Sequence, residues 1–263
     1  MTGTVGDTCS YRRLVEPADM SPSSSSVDNA DEQSADPMCL REKIKSLLRK
    51  YDVGSLYTHL PLQRASILLP LLIKQGKPHL LLTVRSMQLQ TMPGDVCFPG
   101  GRREASDEDD IQTALRETKE EIGLCPEQVQ IIGRIMPCIT KSPVYLVTPV
   151  IGIVEDSFQP TPNPSEVADV FLVPLEFFIS PEHYKPVQIN MPPYGPQILH
   201  HFIYVDADTK KRFTIWGLTA HCALVLSVIL LEKTPSFIPE FNLESSLKGV
   251  EKFLQASYSQ SKL

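Results

Sequence analysis

Apolar positions in this chain follow two rhythms. Leu40, Ile44, Leu47 and Leu48 recur at helical spacing behind Asp36-Pro37, an N-cap and first helical position, and predict an amphipathic helix to about Lys50. Residues 65–73 form an apolar run of strand length, Gln75-Gly76-Lys77-Pro78 reads as a turn, and residues 79–84 read as a second strand, so a hairpin is expected. Further strands are expected at residues 129–136, 145–154 and 169–173, with a proline-rich loop at 160–164. The prolines of residues 181–197 predict loop. Residues 198–205 and 212–215 predict another hairpin, and residues 218–232 an apolar helix packed on the sheet. Mixed strands with helices on their faces make an α/β sandwich.

One stretch, residues 100–124, carries chemistry as well as pattern. It reads as a glycine-bearing loop followed by a helix, with Ser106 or Asp107 as N-cap and Glu108, Asp109 and Asp110 at the positive end of the dipole. Gly123 stands where a residue of positive φ closes a helix. At about 100° per residue, Ile111, Leu115, Thr118 and Ile122 share one side. Glu117, Glu120 and Glu121 fall opposite, within an arc of about 100°. Like charges at this spacing repel by a few tenths of a kcal/mol, and carboxylates near a helix C-terminus oppose the dipole by roughly 0.3–1 kcal/mol each. A bound divalent cation reverses the sign of both terms, and hard cations such as Mg²⁺ take carboxylates together with substrate phosphates.

Composition narrows the rest. The chain has 263 residues, 42% of them apolar, enough for one domain with a sizeable core. Residues 1–36 are rich in Ser, Asp, Glu and Pro and are expected to be disordered; residues 37–250 make the domain, and 251–263 an exposed tail. A net charge of −6 argues against DNA or another nucleic acid held by bulk electrostatics. Six cysteines without a C-x-x-C pair suggest a reducing compartment and no structural zinc. No apolar run is long enough to span a membrane. The terminal Ser261-Lys262-Leu263 is the address read by the peroxisomal import receptor, so a peroxisomal location is expected.

The string of residues 101–124 resembles the Nudix box: a glycine, five residues, a glutamate, seven residues, then Arg-Glu-apolar-any-Glu-Glu-any-Gly-apolar. Arg116, Glu117, Glu120, Glu121, Gly123 and Leu124 match. Thr118 stands at the apolar position. Counting back from Arg116 puts the first glutamate at Glu108 but the glycine at Arg102, so the loop is one residue longer than the pattern. Upstream, Leu81-Leu82-Thr83-Val84-Arg85-Ser86, Gly94 and Phe98-Pro99-Gly100-Gly101 are similar to the signature of coenzyme A diphosphatases, except for Gln90 where that signature has arginine.

The resemblance implies a Nudix-type α/β/α sandwich with a mixed β-sheet. It implies a diphosphatase that uses Mg²⁺ or Mn²⁺ held by Glu117, Glu120, Glu121 and the carbonyl of Gly101. Arg116 would orient a glutamate, and Arg85 with Gly100 and Gly101 would contact phosphate. Glu166 is a candidate general base or further ligand. The small-molecule substrate implied is coenzyme A or acyl-coenzyme A, cleaved to 3′,5′-ADP and (acyl-)4′-phosphopantetheine. A nucleotide sugar, a dinucleotide, a capped RNA end, or a module that binds a diphosphate without cleaving it are the alternatives.

Overall fold

A computed structural model describes residues 37–140, 144–190, 196–238 and, near the C-terminus, 241–245, 247–249, 251 and 254. The expected disordered segment 1–36 and the terminal tripeptide lie outside them.

Helix α1 spans Pro37–Arg49 and buries Ile44 and Leu48, two members of the expected stripe. Strands β1 (Arg64–Lys74) and β2 (Lys77–Arg85) form the expected hairpin. Short strands β3 (Val96–Cys97) and β4 (Gly100–Arg102) lead to helix α2 (Asp110–Ile122). Then follow β5 (Val129–Arg134), β6 (Cys138–Ile139), β7 (Leu146–Val154) and β8 (Val167–Pro174). β9 (Val187–Asn190) pairs with β10 (Pro196–Leu199), and β11 (His201–Val205) with β12 (Arg212–Trp216), before helix α3 (Gly217–Leu231).

The main sheet runs β3-β2-β1-β7-β5, with β8 on β2, β4 on β1 and β6 on β7. β1 and β7 are parallel and the other pairs antiparallel, so the sheet is mixed as expected. Alternation along the strands sends side chains to two layers. Leu68 and Leu72 of β1 and Leu81 of β2 pack with Ala114 and Ile122 of α2. Leu69, Leu71, Leu80 and Leu82 pack on the other face with α3 and α1. Helix α3 is apolar on almost every side because the sheet, α1 and the turn at Leu175–Ile179 enclose it.

Three expectations are corrected. The N-cap of α2 is Asp109, whose carboxylate accepts from the Gln112 N–H at 2.9 Å, and not Ser106 or Asp107. Residues 181–197 are not all loop, since β9 and β10 form a two-stranded ribbon there. Proline is tolerated at the first position of a strand, where Pro196 stands, so the prolines flank the ribbon instead of abolishing it. The hairpin strand expected from residue 198 begins at His201, because Ile198 and Leu199 belong to β10.

Candidate active site

The site is built where β4 passes the second half of α2. Gly100 adopts φ +149° and pairs with Ile67, and a Cβ there would stand 2.3 Å from the Ser66 carbonyl oxygen. Only glycine fits this approach. A Cβ on Gly101 would lie 2.4 Å from the Glu117 carboxyl group, so the missing side chain makes room for that carboxylate. The Gly100 N–H donates to Glu121 Oε2 at 3.2 Å. The two glycines thus seat one carboxylate each.

Helix α2 presents the glutamates to different depths. Glu121 is buried, Glu117 is largely buried, and Glu120 is exposed. Burial pushes the Glu121 carboxyl up to about 8; the Gly100 N–H opposes that shift, Glu117 and Glu166 add to it, and Arg85 lowers it. Burial also raises Glu117, against Arg116, with Glu120 and Glu166 adding repulsion. Glu117, Glu121 and Glu166 therefore share one electrostatic environment. Thr118, facing the core, returns its hydroxyl to the Ala114 carbonyl at 2.6 Å. Gly123 takes φ +74° and donates its N–H to the Lys119 carbonyl, closing the helix as expected.

Arg116 organises the exposed side. It donates to Glu117 Oε1 at 3.1 Å, to Glu120 Oε2 at 3.2 Å and to the Arg102 carbonyl at 3.0 Å. Its anchor is Asp107, gripped by Nε at 2.9 Å and a terminal nitrogen at 3.0 Å. Asp107 also accepts from the Thr113 hydroxyl at 3.0 Å and the Glu104 N–H at 2.9 Å. The Arg116 contact holds the Asp107 carboxyl down to about 2. Asp107 is the anchor of Arg116 that the motif count passes over. Glu108, at the counted position, is exposed and is engaged through its backbone, its N–H donating to Gln112 and its carbonyl accepting from Arg103.

Glu166 reaches the cluster from the loop after β7. The Thr161 and Asn163 N–H groups donate to the Ile122 and Glu121 carbonyls at 2.8 Å, so this loop docks on the open end of α2. Asn163 Nδ2 then donates to Glu166 Oε1 at 3.2 Å. Arg85, at the end of β2, donates through Nε to the Thr91 carbonyl at 3.2 Å. Cys97, between these groups, is a strand residue whose thiol burial pushes up to about 11. His200 is half-buried and bonded to the Tyr184 hydroxyl at 3.0 Å.

Among the described residues, no three acidic, histidine or cysteine side chains are already gathered around one point. Arg116 occupies one oxygen each of Glu117 and Glu120. The donor set nonetheless fits a hard cation. It offers carboxylates raised by burial and by one another beside a backbone with no side chain, and a cation there would relieve the repulsion.

Comparison with known proteins gives the family. The family model described as the NUDIX domain matches residues 61–194. The mouse (Mus musculus) peroxisomal coenzyme A diphosphatase NUDT7 is 42% identical over 225 residues, which is 85% of this chain and 94% of that protein. The mitochondrial Nudix hydrolase 15 of Arabidopsis thaliana is 38% identical over 182 residues, covering 68% of this chain and 62% of that protein. Among solved structures, the Nudix hydrolase RenU of M. Smegmatis is 25% identical over 43% of this chain and 71% of that one, with a TM-score of 0.37.

Proposed function

The chain belongs to the Nudix hydrolase family and is a pyrophosphohydrolase, and on that premise we propose that it cleaves the diphosphate of coenzyme A and its acyl derivatives. The products are 3′,5′-ADP and (acyl-)4′-phosphopantetheine. The observation that carries this reading is the pair Glu117 and Glu121 set against Gly100-Gly101, in a chain that aligns along 94% of a coenzyme A diphosphatase.

In this reading Glu117, Glu120, Glu121 and the Gly101 carbonyl hold Mg²⁺ or Mn²⁺, which when bound neutralises the diphosphate and acidifies a water. The protein's own residues do the rest. Gly100 and Gly101 let the phosphates approach the backbone. Arg116, fixed by Asp107, orients Glu117 and Glu120 through one oxygen of each. Glu166, held beside the cluster by Asn163, serves as the general base for the attacking water or as a further ligand. Arg85 turns from Thr91 to a phosphate oxygen, a charge-assisted contact stronger than its present bond to a carbonyl. Residues 37–250 form the catalytic domain. Import into the peroxisome through Ser261-Lys262-Leu263 places the enzyme with its substrate.

The test is mass spectrometry of products over a panel of coenzyme A, a nucleotide sugar, a dinucleotide and capped RNA. We expect coenzyme A to give the highest kcat/KM, activity to vanish with a chelator, and Glu121→Gln to lower turnover by several orders of magnitude while the fold survives. Preference for another diphosphate, or equal activity in Glu121→Gln, overturns the assignment.

A further inference from the structure

Two thiols meet on the face of the sheet that α2 does not cover. Cys222, on α3, belongs to the core of that face, and Cys138, in β6, packs against the same core. Both line one cavity of about 10 Å³, together with Met136, His221 and Leu247. That is room for about one water, so the walls stand close together. The two thiols are hydrogen-bonded to each other. The catalytic helix packs on the opposite face.

The pair is asymmetric. Cys138 is half-buried and Cys222 is buried. The hydrogen bond from Cys222 favours the Cys138 thiolate and lowers that thiol, against the effect of burial. The same bond and burial raise the Cys222 thiol well above its ordinary value. A reachable, readily ionised thiol thus stands beside an enclosed, protonated one, as an attacking cysteine stands beside a resolving one. The other described cysteines have different surroundings. The Cys97 sulfur lies 3.2 Å from the Thr83 hydroxyl, Cys125 reaches the Gly123 carbonyl, and Cys39 is exposed on α1.

We infer that Cys138 and Cys222 form a modification site, oxidised by a hydroperoxide to a disulfide that fastens β6 to α3. The Cys138 sulfur attacks the hydroperoxide and takes one oxygen as the O–O bond breaks; the other oxygen leaves as water or an alcohol. The Cys222 sulfur then attacks the sulfenic sulfur. The S–S bond forms as the S–O bond breaks, and the hydroxyl leaves with the thiol proton as water. Two thiols lose two electrons to one hydroperoxide. The link has structural weight because β6 is two residues long and, among the described residues, pairs with β7 alone. It also closes a long stretch of chain, which restricts the unfolded state. At rest the pair is reduced, in keeping with a reducing compartment, and the disulfide is transient.

Peptide mapping tests this, and its outcome is independent of which diphosphate the enzyme cleaves. The full chain is treated with hydrogen peroxide, alkylated under denaturing conditions and mapped by mass spectrometry without reductant. The peptide carrying Cys138 should be joined to the one carrying Cys222, and dithiothreitol should separate them. In Cys222→Ala the Cys138 sulfenic acid should persist and be trapped by dimedone, while in Cys138→Ala the Cys222 thiol should stay reduced. Oxidised wild type should melt about 5–15 °C above the reduced protein, a shift absent from both variants. Exposed Cys39 is the internal control for oxidant. If peroxide oxidises Cys39 while Cys138 and Cys222 stay reduced, or joins Cys138 to another cysteine, the inference falls. A linked protein that melts no higher than the reduced one overturns the fastening of β6 to α3.

Discussion

Replacing Asp107 by Asn isolates the anchor of Arg116. The variant keeps the shape of the side chain, removes its charge, and turns an amide toward the guanidinium. Truncating one partner of a buried ion pair costs about 3–5 kcal/mol, because the other charge is left uncompensated. Here Arg116 is 20% exposed and retains Glu117, Glu120 and the Arg102 carbonyl, so the loss should be smaller. The Asp107 carboxyl is held at about 2 against an ordinary 3.8, which corresponds to about 2 kcal/mol of stability at neutral pH. The sign follows from the direction. A carboxyl depressed by folding contributes fully above its unfolded pKa and loses that contribution as pH falls through its folded pKa. The gap between wild type and Asp107→Asn should thus be about 2 kcal/mol at pH 7 and about half that at pH 3.

Urea denaturation followed by circular dichroism at both pH values reads the gap directly. Turnover should fall as well, by about ten- to a hundredfold, because Arg116 without its anchor is held by Glu117 and Glu120 and competes for them more strongly. Added Mg²⁺ should recover part of that loss. Glu108→Gln is the control, expected to leave stability and turnover unchanged, since Glu108 is engaged through its backbone. A gap below about 0.5 kcal/mol at pH 7, or one of equal size at pH 3, would refute the claim that Asp107 anchors the arginine.

Two further outcomes are expected. Gly101→Ala should cut turnover at least tenfold with little change in melting temperature, because its methyl group meets the Glu117 carboxyl while φ remains ordinary; full activity would show that Glu117 need not lie against this backbone. A tag fused after Leu263 should leave the protein in the cytosol, whereas the same tag before Met1 should not; import despite the C-terminal tag means that the address lies elsewhere.

The strands of the hairpin and the face of α2 were legible because each depends on local spacing. Residues 67–73 are apolar without a break since β1 is covered on both faces, by α2 and α3. The order of glutamates on α2 fixed their angular positions, but not their depths. Glu121 is buried because β4 returns over it and Glu120 is exposed because nothing does, and neither fact is local. Glu166 could be suggested by resemblance alone, since its place depends on the docking of the 161–163 backbone on the helix end.

Asp107 shows how a count can mislead when the chain has two registers. Counting back from Arg116 selects Glu108, while counting forward from Gly101 through five residues selects Asp107. Both are acidic, and the helix N-terminus tolerates either, so composition cannot decide. The structure keeps the glycine register. Gly101 is fixed by its pairing with Ser66, and the loop after it returns Asp107 to the Thr113 hydroxyl and the Arg116 guanidinium. The extra residue is absorbed at Glu108, in the turn before the Asp109 cap, where the chain is exposed and a longer connection disturbs no packed group. An insertion placed between Gly101 and Asp107 would instead push the carboxylate off the guanidinium and remove the anchor that fixes Arg116 between Asp107 and the glutamates of α2.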